Sequence, residues 1–150
     1  MNFFIQDVLG PFATFLKKNY PALYKNWKFT SATRSYVPAG GSKTSQHQIG
    51  QAIDSQIVGK APGVETMKVN LDLLNAILTW YQQNPVGYDQ ILWETRTPNA
   101  SWIHWSYSRP NNRKILWRFK NDSILQRAVV NKTGVYVLPG VTESQIVLTI

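Results

Sequence analysis

Thr44-Ser45-Gln46-His47-Gln48-Ile49-Gly50-Gln51-Ala52-Ile53-Asp54 reads S-x-H-x-x-G-x-A-x-D, and the rest of the chain is organised around it. His47 is one of only two histidines in 150 residues. Asp54 follows it seven positions on, past a glycine and an alanine small enough to let backbone pack close. An imidazole and a carboxylate so placed make half of a zinc site. A catalytic zinc centre takes about three protein ligands of this kind and keeps one position for water, so one more donor must come from elsewhere. His104, the other histidine, is the candidate.

Working outward, Ser45, His47, Gly50, Ala52 and Asp54 are preceded by Phe29-Thr30-Ser31-Ala32-Thr33-Arg34-Ser35 and the Gly40-Gly41 turn. Together these resemble the zinc D-alanyl-D-alanine carboxypeptidase family, which shares its fold with the hedgehog signalling domain and with phage L-alanoyl-D-glutamate endopeptidases. Gln90-Ile91-Leu92-Trp93-Glu94 and Trp102-Ile103-His104-Trp105-Ser106-Tyr107 are similar to the second half of the pattern in small phage members. The resemblance spans roughly residues 27 to 108 in the right order. It implies an α+β fold, a small antiparallel sheet with helices packed on one face. It further implies that His47, Asp54 and His104 hold Zn2+.

Many members of that family place a catalytic acid three residues before the last histidine, as E-x-x-H or D-x-x-H. Here that position is Ser101, which cannot act as a base. Glu94 resembles the glutamate that precedes the last ligand in the hedgehog domain and in the Q-L-I-x-E motif of small phage relatives, so the catalytic role passes to Glu94. Arg34, in a match to S-x-x-R-S, is expected to bind a substrate carboxylate or the developing oxyanion in two-pronged fashion. Ser45, Gln48, Trp102 and Ser106 lie within the matching motifs and join Arg34 as expected substrate contacts.

Composition bounds these expectations. A chain of 150 residues with 43% hydrophobic content is long enough to bury one core. It has no cysteine, which excludes a disulfide framework and leaves any metal to imidazole and carboxylate. Met1-Asn2-Phe3-Phe4-Ile5-Gln6-Asp7 lacks a basic start and reaches Gly10-Pro11 early, so no secretory signal is expected, and no apolar run approaches about 18 residues, so no membrane role is expected. Lys and Arg outnumber Asp and Glu by 16 to 8, a net charge of +8, which favours a polyanionic partner such as bacterial cell wall or nucleic acid.

Apolar positions in residues 1 to 18 follow a helical face that Gly10-Pro11 is expected to break into two turns. Asn70 to Gln83 is the clearest helix, with Leu71, Leu74, Leu78 and Tyr81 as its stripe and Asn70 as its N-cap. Strands are expected at 27–36, 52–58, 88–94, 102–107 and 115–119. Thr95 to Ser101 would be a polar hairpin loop. If it closes regularly, Glu94 lies across from Trp102 and Leu92 across from His104, which makes Glu94 a diagonal neighbour of His104 at about 7 to 8 Å between backbones. Residues 1–120 would form the metallopeptidase-like domain. Residues 121–150, with short strands at Val135–Leu138 and Gln145–Ile150, would be a β-rich extension that could serve as an assembly arm.

The function so implied is zinc-dependent hydrolysis of peptide bonds in peptidoglycan stem peptides. The resemblance points to a phage endolysin or a tail or baseplate hydrolase, present in the virion or in host cytoplasm before lysis. Three rivals stand beside it. A structural tail or baseplate protein would keep the fold with little activity, and 121–150 would meet other subunits. A nucleic-acid binder would use Arg109, Arg113, Lys114, Arg118 and Lys120 interleaved with Trp105, Tyr107 and Trp117, although lysine and arginine guarding strand edges look the same. A bacterial carboxypeptidase would ordinarily carry an export signal.

Overall fold

A computed structural model describes residues 3–31, Gln46, 50–60, 62–109, 112–121, 123–127, 129–130, 135–137 and 148–149. Its main layer is a sheet of six strands: β1 (Trp27–Ser31), β2 (Ala52–Ile57), β3 (Gln90–Thr97), β4 (Ala100–Ser106), β5 (Ile115–Lys120) and β6 (Ser123–Arg127), in the order β1-β2-β4-β3-β5-β6. Helices α1 (Gly10–Asn19) and α3 (Thr66–Gln83) pack on one face, and α2 (Pro21–Asn26) leads from α1 into β1. The class is therefore α+β. The sheet, expected to be antiparallel, is mixed: β3 and β5 run parallel, while the other four pairings are antiparallel. The cause is topological. β4 already has β2 on one edge and β3 on the other, so β5 takes the outer edge of β3, and because it runs opposite to β4 it runs the same way as β3.

The core lies between this sheet and the helices. Trp105, fully buried, takes edge-on contacts from Phe4, Phe12 and Tyr81, and its indole N–H donates to the Tyr81 hydroxyl at 2.9 Å. Phe12 also packs edge-on against Trp27 and Trp80, which ties α1 to both β1 and α3. Burying side chains such as Phe12 and Leu16 contributes about 1.5–3 kcal/mol each. Along β3 and β4 the residues Ile91, Trp93, Ile103 and Trp105 face this core, so the alternate residues, Leu92, Glu94, Trp102 and His104, share the opposite face.

Gly10-Pro11 does not break the first helical segment. Residues Ile5–Leu9 form a π-helical turn that runs directly into α1, with the Gly10 N–H bonded to the Ile5 carbonyl. Proline offers no N–H to the carbonyl four residues back and crowds it, and widening the turn relieves both problems. A Cβ at Gly10 would sit 3.1 Å from that Ile5 oxygen, which explains a glycine at the junction.

Helix α3 begins earlier than its periodicity suggests, at Thr66, and Asn70 is not its cap. Asn70 is fully buried. Its Oδ1 accepts the Ile57 N–H at 3.0 Å and its Nδ2 donates to the Ser101 carbonyl at 2.9 Å, stapling the helix to the end of β2 and the start of β4. The hairpin joining β3 and β4 is also tighter than expected. The strands extend through Thr97 and from Ala100, leaving Pro98-Asn99 as the turn, with an irregularity between Thr95 and Thr97.

Beyond residue 120, β6 pairs with β5 in the main sheet. A second, three-stranded sheet follows, formed by β7 (Val129–Val130), β8 (Val135–Val137) and β9 (Leu148–Thr149). Among the described residues, no helix is long and apolar enough to cross a membrane.

Candidate metal centre

The face of the sheet away from the helices carries the site. Asp54 on β2 is the register partner of His104 on β4, and His104 in turn is the partner of Leu92 on β3. Partners across antiparallel strands put their side chains on one face. Two residues fifty apart in sequence thus meet, with Asp54 Oδ1 and His104 Nδ1 at 3.0 Å. Both side chains are largely removed from solvent, at 12% and 13% exposure, where such a contact is weakly screened. With Asp54 ionised, its carboxylate accepts and Nδ1 donates the hydrogen bond. The other ring nitrogen, Nε2, is buried as well.

Glu94, two residues after Leu92 on the same face, completes the cluster. Asp54, Glu94 and His104 each bring one potential ligand atom within 4.8 Å of the others. Glu94 lies across from Trp102, and the Trp102 indole N–H donates to Glu94 Oε2 at 2.6 Å. The Trp102 ring is in turn covered by the Arg96 guanidinium, 5.6 Å from its centroid. A charge-assisted bond of this length fixes the rotamer of the carboxylate. Trp102, expected to touch substrate, therefore holds Glu94 in place.

Two carboxylates and one imidazole form a donor set able to hold a divalent metal ion. Neighbouring ligands of a tetrahedral zinc with bonds of about 2.0–2.1 Å stand about 3.3 Å apart. The 3.0 Å between Asp54 and His104 is close to that edge, so the pair suits adjacent ligation as well as a hydrogen bond.

His47, Arg34, Ser45 and Gln48 fall outside the described residues. Ser106, expected at the substrate, is fully buried instead: its Oγ accepts the Gln90 N–H at 3.0 Å and approaches Asp89 Oδ2 at 3.5 Å, which turns the side chain to internal bonding. Ser101 is buried as well, its Oγ donating to the Glu94 carbonyl at 2.8 Å and lying 3.2 Å from Thr95 Oγ1. An offset of three along a strand changes face, so Ser101 points away from His104. In the motif, Gly50 takes φ +70°, the left-handed conformation that a glycine adopts without strain, immediately before β2.

A buried carboxylate that motif reading did not find lies just before β3, beside the end of β4. Asp89, 1% exposed, accepts from the Arg113 backbone N–H at 2.9 Å, from Arg113 Nε and Nη2 at 2.9 and 2.6 Å, and from Gln46 Nε2 at 2.8 Å. Burial by itself raises its pKa, but the bonds from Arg113 and Gln46 outweigh burial and hold the carboxyl below the ordinary aspartate range. An aspartate beside a strand start carries no distinguishing sequence signal.

Several groups of the basic-aromatic run in and around β4 and β5 are engaged within the fold. Arg113 is committed to Asp89, Arg118 lies over the Trp93 ring at 4.5 Å, and Arg109 pairs with Asp7 at 3.6 Å and covers Phe3. Trp105 is core. A stacking platform for nucleic acid needs those groups side by side.

Comparison with protein-family profiles, with curated proteins and with solved structures finds no match to this chain.

Proposed function

We propose that the chain is a zinc-dependent peptidase of bacterial cell wall, hydrolysing a peptide bond in peptidoglycan stem peptides. One observation carries the reading. Asp54, Glu94 and His104 come from three strands and converge within 4.8 Å on one face of the sheet. The S-x-H-x-x-G-x-A-x-D motif and the resemblance it supports supply the substrate class. In this reading His47 joins Asp54 and His104 as ligands, and Glu94 remains for proton transfer.

A zinc ion held there supplies Lewis acidity and a water acidic enough to attack a carbonyl near neutral pH. Glu94, oriented by the Trp102 indole, accepts the proton of the attacking water and returns it to the leaving amine, a service worth about 10²- to 10⁴-fold. Arg34 stabilises the oxygen that becomes negative. Leu92, beside His104 and only 9% exposed, helps keep the cluster dry. The net charge of +8 favours residence on an anionic wall. Release at phage lysis or carriage in a tail or baseplate belongs to the same proposal.

Metal analysis paired with peptidoglycan digestion tests it, on the native chain and on His104→Ala. Stoichiometric zinc and released fragments, both lost in the variant, are expected. Absence of zinc from the native protein sinks the proposal. Zinc without fragments replaces it with a structural tail or baseplate protein that keeps the fold.

A further inference from the structure

We propose that the corner formed by α1, α2 and β1 is an anchoring surface, on which Lys17, Lys18, Lys25 and Lys28 hold a flexible phosphodiester polymer of the bacterial wall. The choice of a wall polymer rests on the functional reading above, whereas the surface itself is read from charge and exposure alone.

Charge marks the corner first. The sequence carries no aspartate or glutamate between Asp7 and Asp54, so nothing acidic in that stretch balances the four lysines. All four are exposed. Lys17 and Lys18 lie in the last turn of α1, Lys25 in the last turn of α2, and Lys28 on β1, the edge strand of the sheet. Cations in a last helical turn also complement the helix dipole. That accounts for the first three but not for Lys28, which carries the same charge onto a strand.

Apolar surface collects in the same place. Tyr20, Tyr24 and Phe29 are 37%, 38% and 51% exposed. Tyr20 precedes Tyr24 by one helical turn, and the Lys17 ammonium stands 5.9 Å from the centre of the Tyr24 ring. Tyr20 packs on Phe15 and Phe29 on Trp27, and both of these inner rings meet Phe12 in the core. A single exposed ring means little, but rings gathered on one root and surrounded by cations mark an interaction surface.

The type of cation selects the kind of polyanion. Arginine's planar fork suits fixed, two-pronged contacts, whereas lysine is a point charge on a flexible stem. Arg109 and Arg113 pair with Asp7 and Asp89, and Arg96 and Arg118 lie over Trp102 and Trp93. Residues 8–31 contain lysine as their only charged residue. Such a set supplies charge without imposing shape. It fits a flexible polyol phosphate chain, whose carbons the rings can cover, better than it fits a structured nucleic acid. β1 lies two strands from β4, about 10 Å across the sheet, so a polymer held at this edge keeps the wall beside the metal cluster.

The test measures binding of the full chain, with metal chelated, to poly(glycerol phosphate) across a salt series. Oligothymidylate and phosphatidylglycerol vesicles are the competing anions. Lys17→Gln/Lys18→Gln/Lys25→Gln is compared with Lys68→Gln/Lys114→Gln/Lys120→Gln, which removes the same charge from exposed positions elsewhere. The surface predicts that the first variant binds the polymer about 10-fold more weakly and that its salt slope is shallower by about 2, at about 0.7 per lost phosphate contact. The second should stay close to native. Equal losses in both variants reduce the effect to net charge and overturn the surface. A native chain that ignores the polymer, or binds oligothymidylate or the vesicles more tightly, overturns it too. The polymer contains no peptide and the assay no metal, so catalysis does not enter. Absence of zinc from the native protein therefore sinks the peptidase reading alone, and failure to bind the polymer while a soluble stem peptide is still cleaved sinks the anchor alone.

Discussion

Asp54 and His104 are register partners across β2 and β4, and their side chains meet at 3.0 Å. Every chemical role assigned to this face depends on that pairing, because it brings a carboxylate and an imidazole from distant parts of the chain to one point. Leu92 and Glu94 then take their places from the β3–β4 hairpin, one beside His104 and the other diagonal to it. The cluster is thus a consequence of strand register, and its parts can be tested one at a time.

Glu94→Gln keeps the shape and the acceptor for the Trp102 indole but removes the group proposed as the base. The expected result is a loss of about 10²- to 10⁴-fold in kcat with zinc stoichiometry retained. Loss of zinc in that variant would make Glu94 a ligand instead. Trp102→Phe keeps the ring beside Arg96 while deleting the 2.6 Å bond to Oε2, so kcat should fall by about 10-fold with KM nearly constant, as for a misoriented base. Steady-state kinetics on a defined stem peptide measures both.

The hairpin register was legible in the sequence, although its loop was not. Whichever residues are taken as strand, the centre of the connection falls at Pro98, and a regular closure about it pairs Glu94 with Trp102 and Leu92 with His104, as found. Alternation likewise locates the start of β1, and it places β2 and β5 to within about one residue at each end. The β2–β4 pairing, the parallel β3–β5 pairing and the Asp89 network were not legible. Non-local pairings leave no periodic trace, and an aspartate collecting four donors looks the same in sequence as a solvated one. Asn70 misled for a related reason: asparagine favours helix caps through side-chain bonding to backbone, and here that capacity serves two other segments from inside the helix.

Asn70→Leu should therefore be costly even though it adds an apolar residue to a core. It leaves the Ile57 N–H and the Ser101 carbonyl without their buried partner, at about 1–3 kcal/mol for each lost bond. Summed with partial relaxation, that corresponds to a fall of roughly 5 to 15 °C in melting temperature for a chain of this size. A calorimetric shift under 2 °C would show that water replaces the amide without loss.

Asp89 gives the fold a defined acid limit. Its carboxyl is held below the ordinary value of 3.8, despite burial, by Arg113 and Gln46. A depressed folded pKa stabilises above the unfolded value, and that stabilisation disappears as pH falls through the folded one. Asp89→Asn should therefore cost roughly 2–3 kcal/mol at pH 7, a figure reduced from that of a fully buried pair because Arg113 is half-exposed. The difference from the native protein should hold down to about pH 4 and shrink below the ordinary carboxyl value. Urea titrations across that range measure it, and a difference that grows toward acid would contradict the assignment.

Ser101→Glu restores the E-x-x-H spacing of the family this motif resembles, and sequence logic alone would expect activity to rise. The strand geometry gives the opposite expectation. Residue 101 is 1% exposed, faces the helix side with Ile103 and Trp105, and has its hydroxyl committed to the Glu94 carbonyl. A glutamate there must overpack a closed core, lose that bond and bury a carboxyl among apolar neighbours, where it would be held neutral. The combined cost should be about 3–5 kcal/mol, with no gain in turnover per folded molecule. Chemical denaturation and active-site-normalised rates on the same preparation separate the two effects. A stable Ser101→Glu protein with raised kcat would mean that β4 presents residue 101 to the metal, and the face assignment of Glu94 and His104 would have to be abandoned.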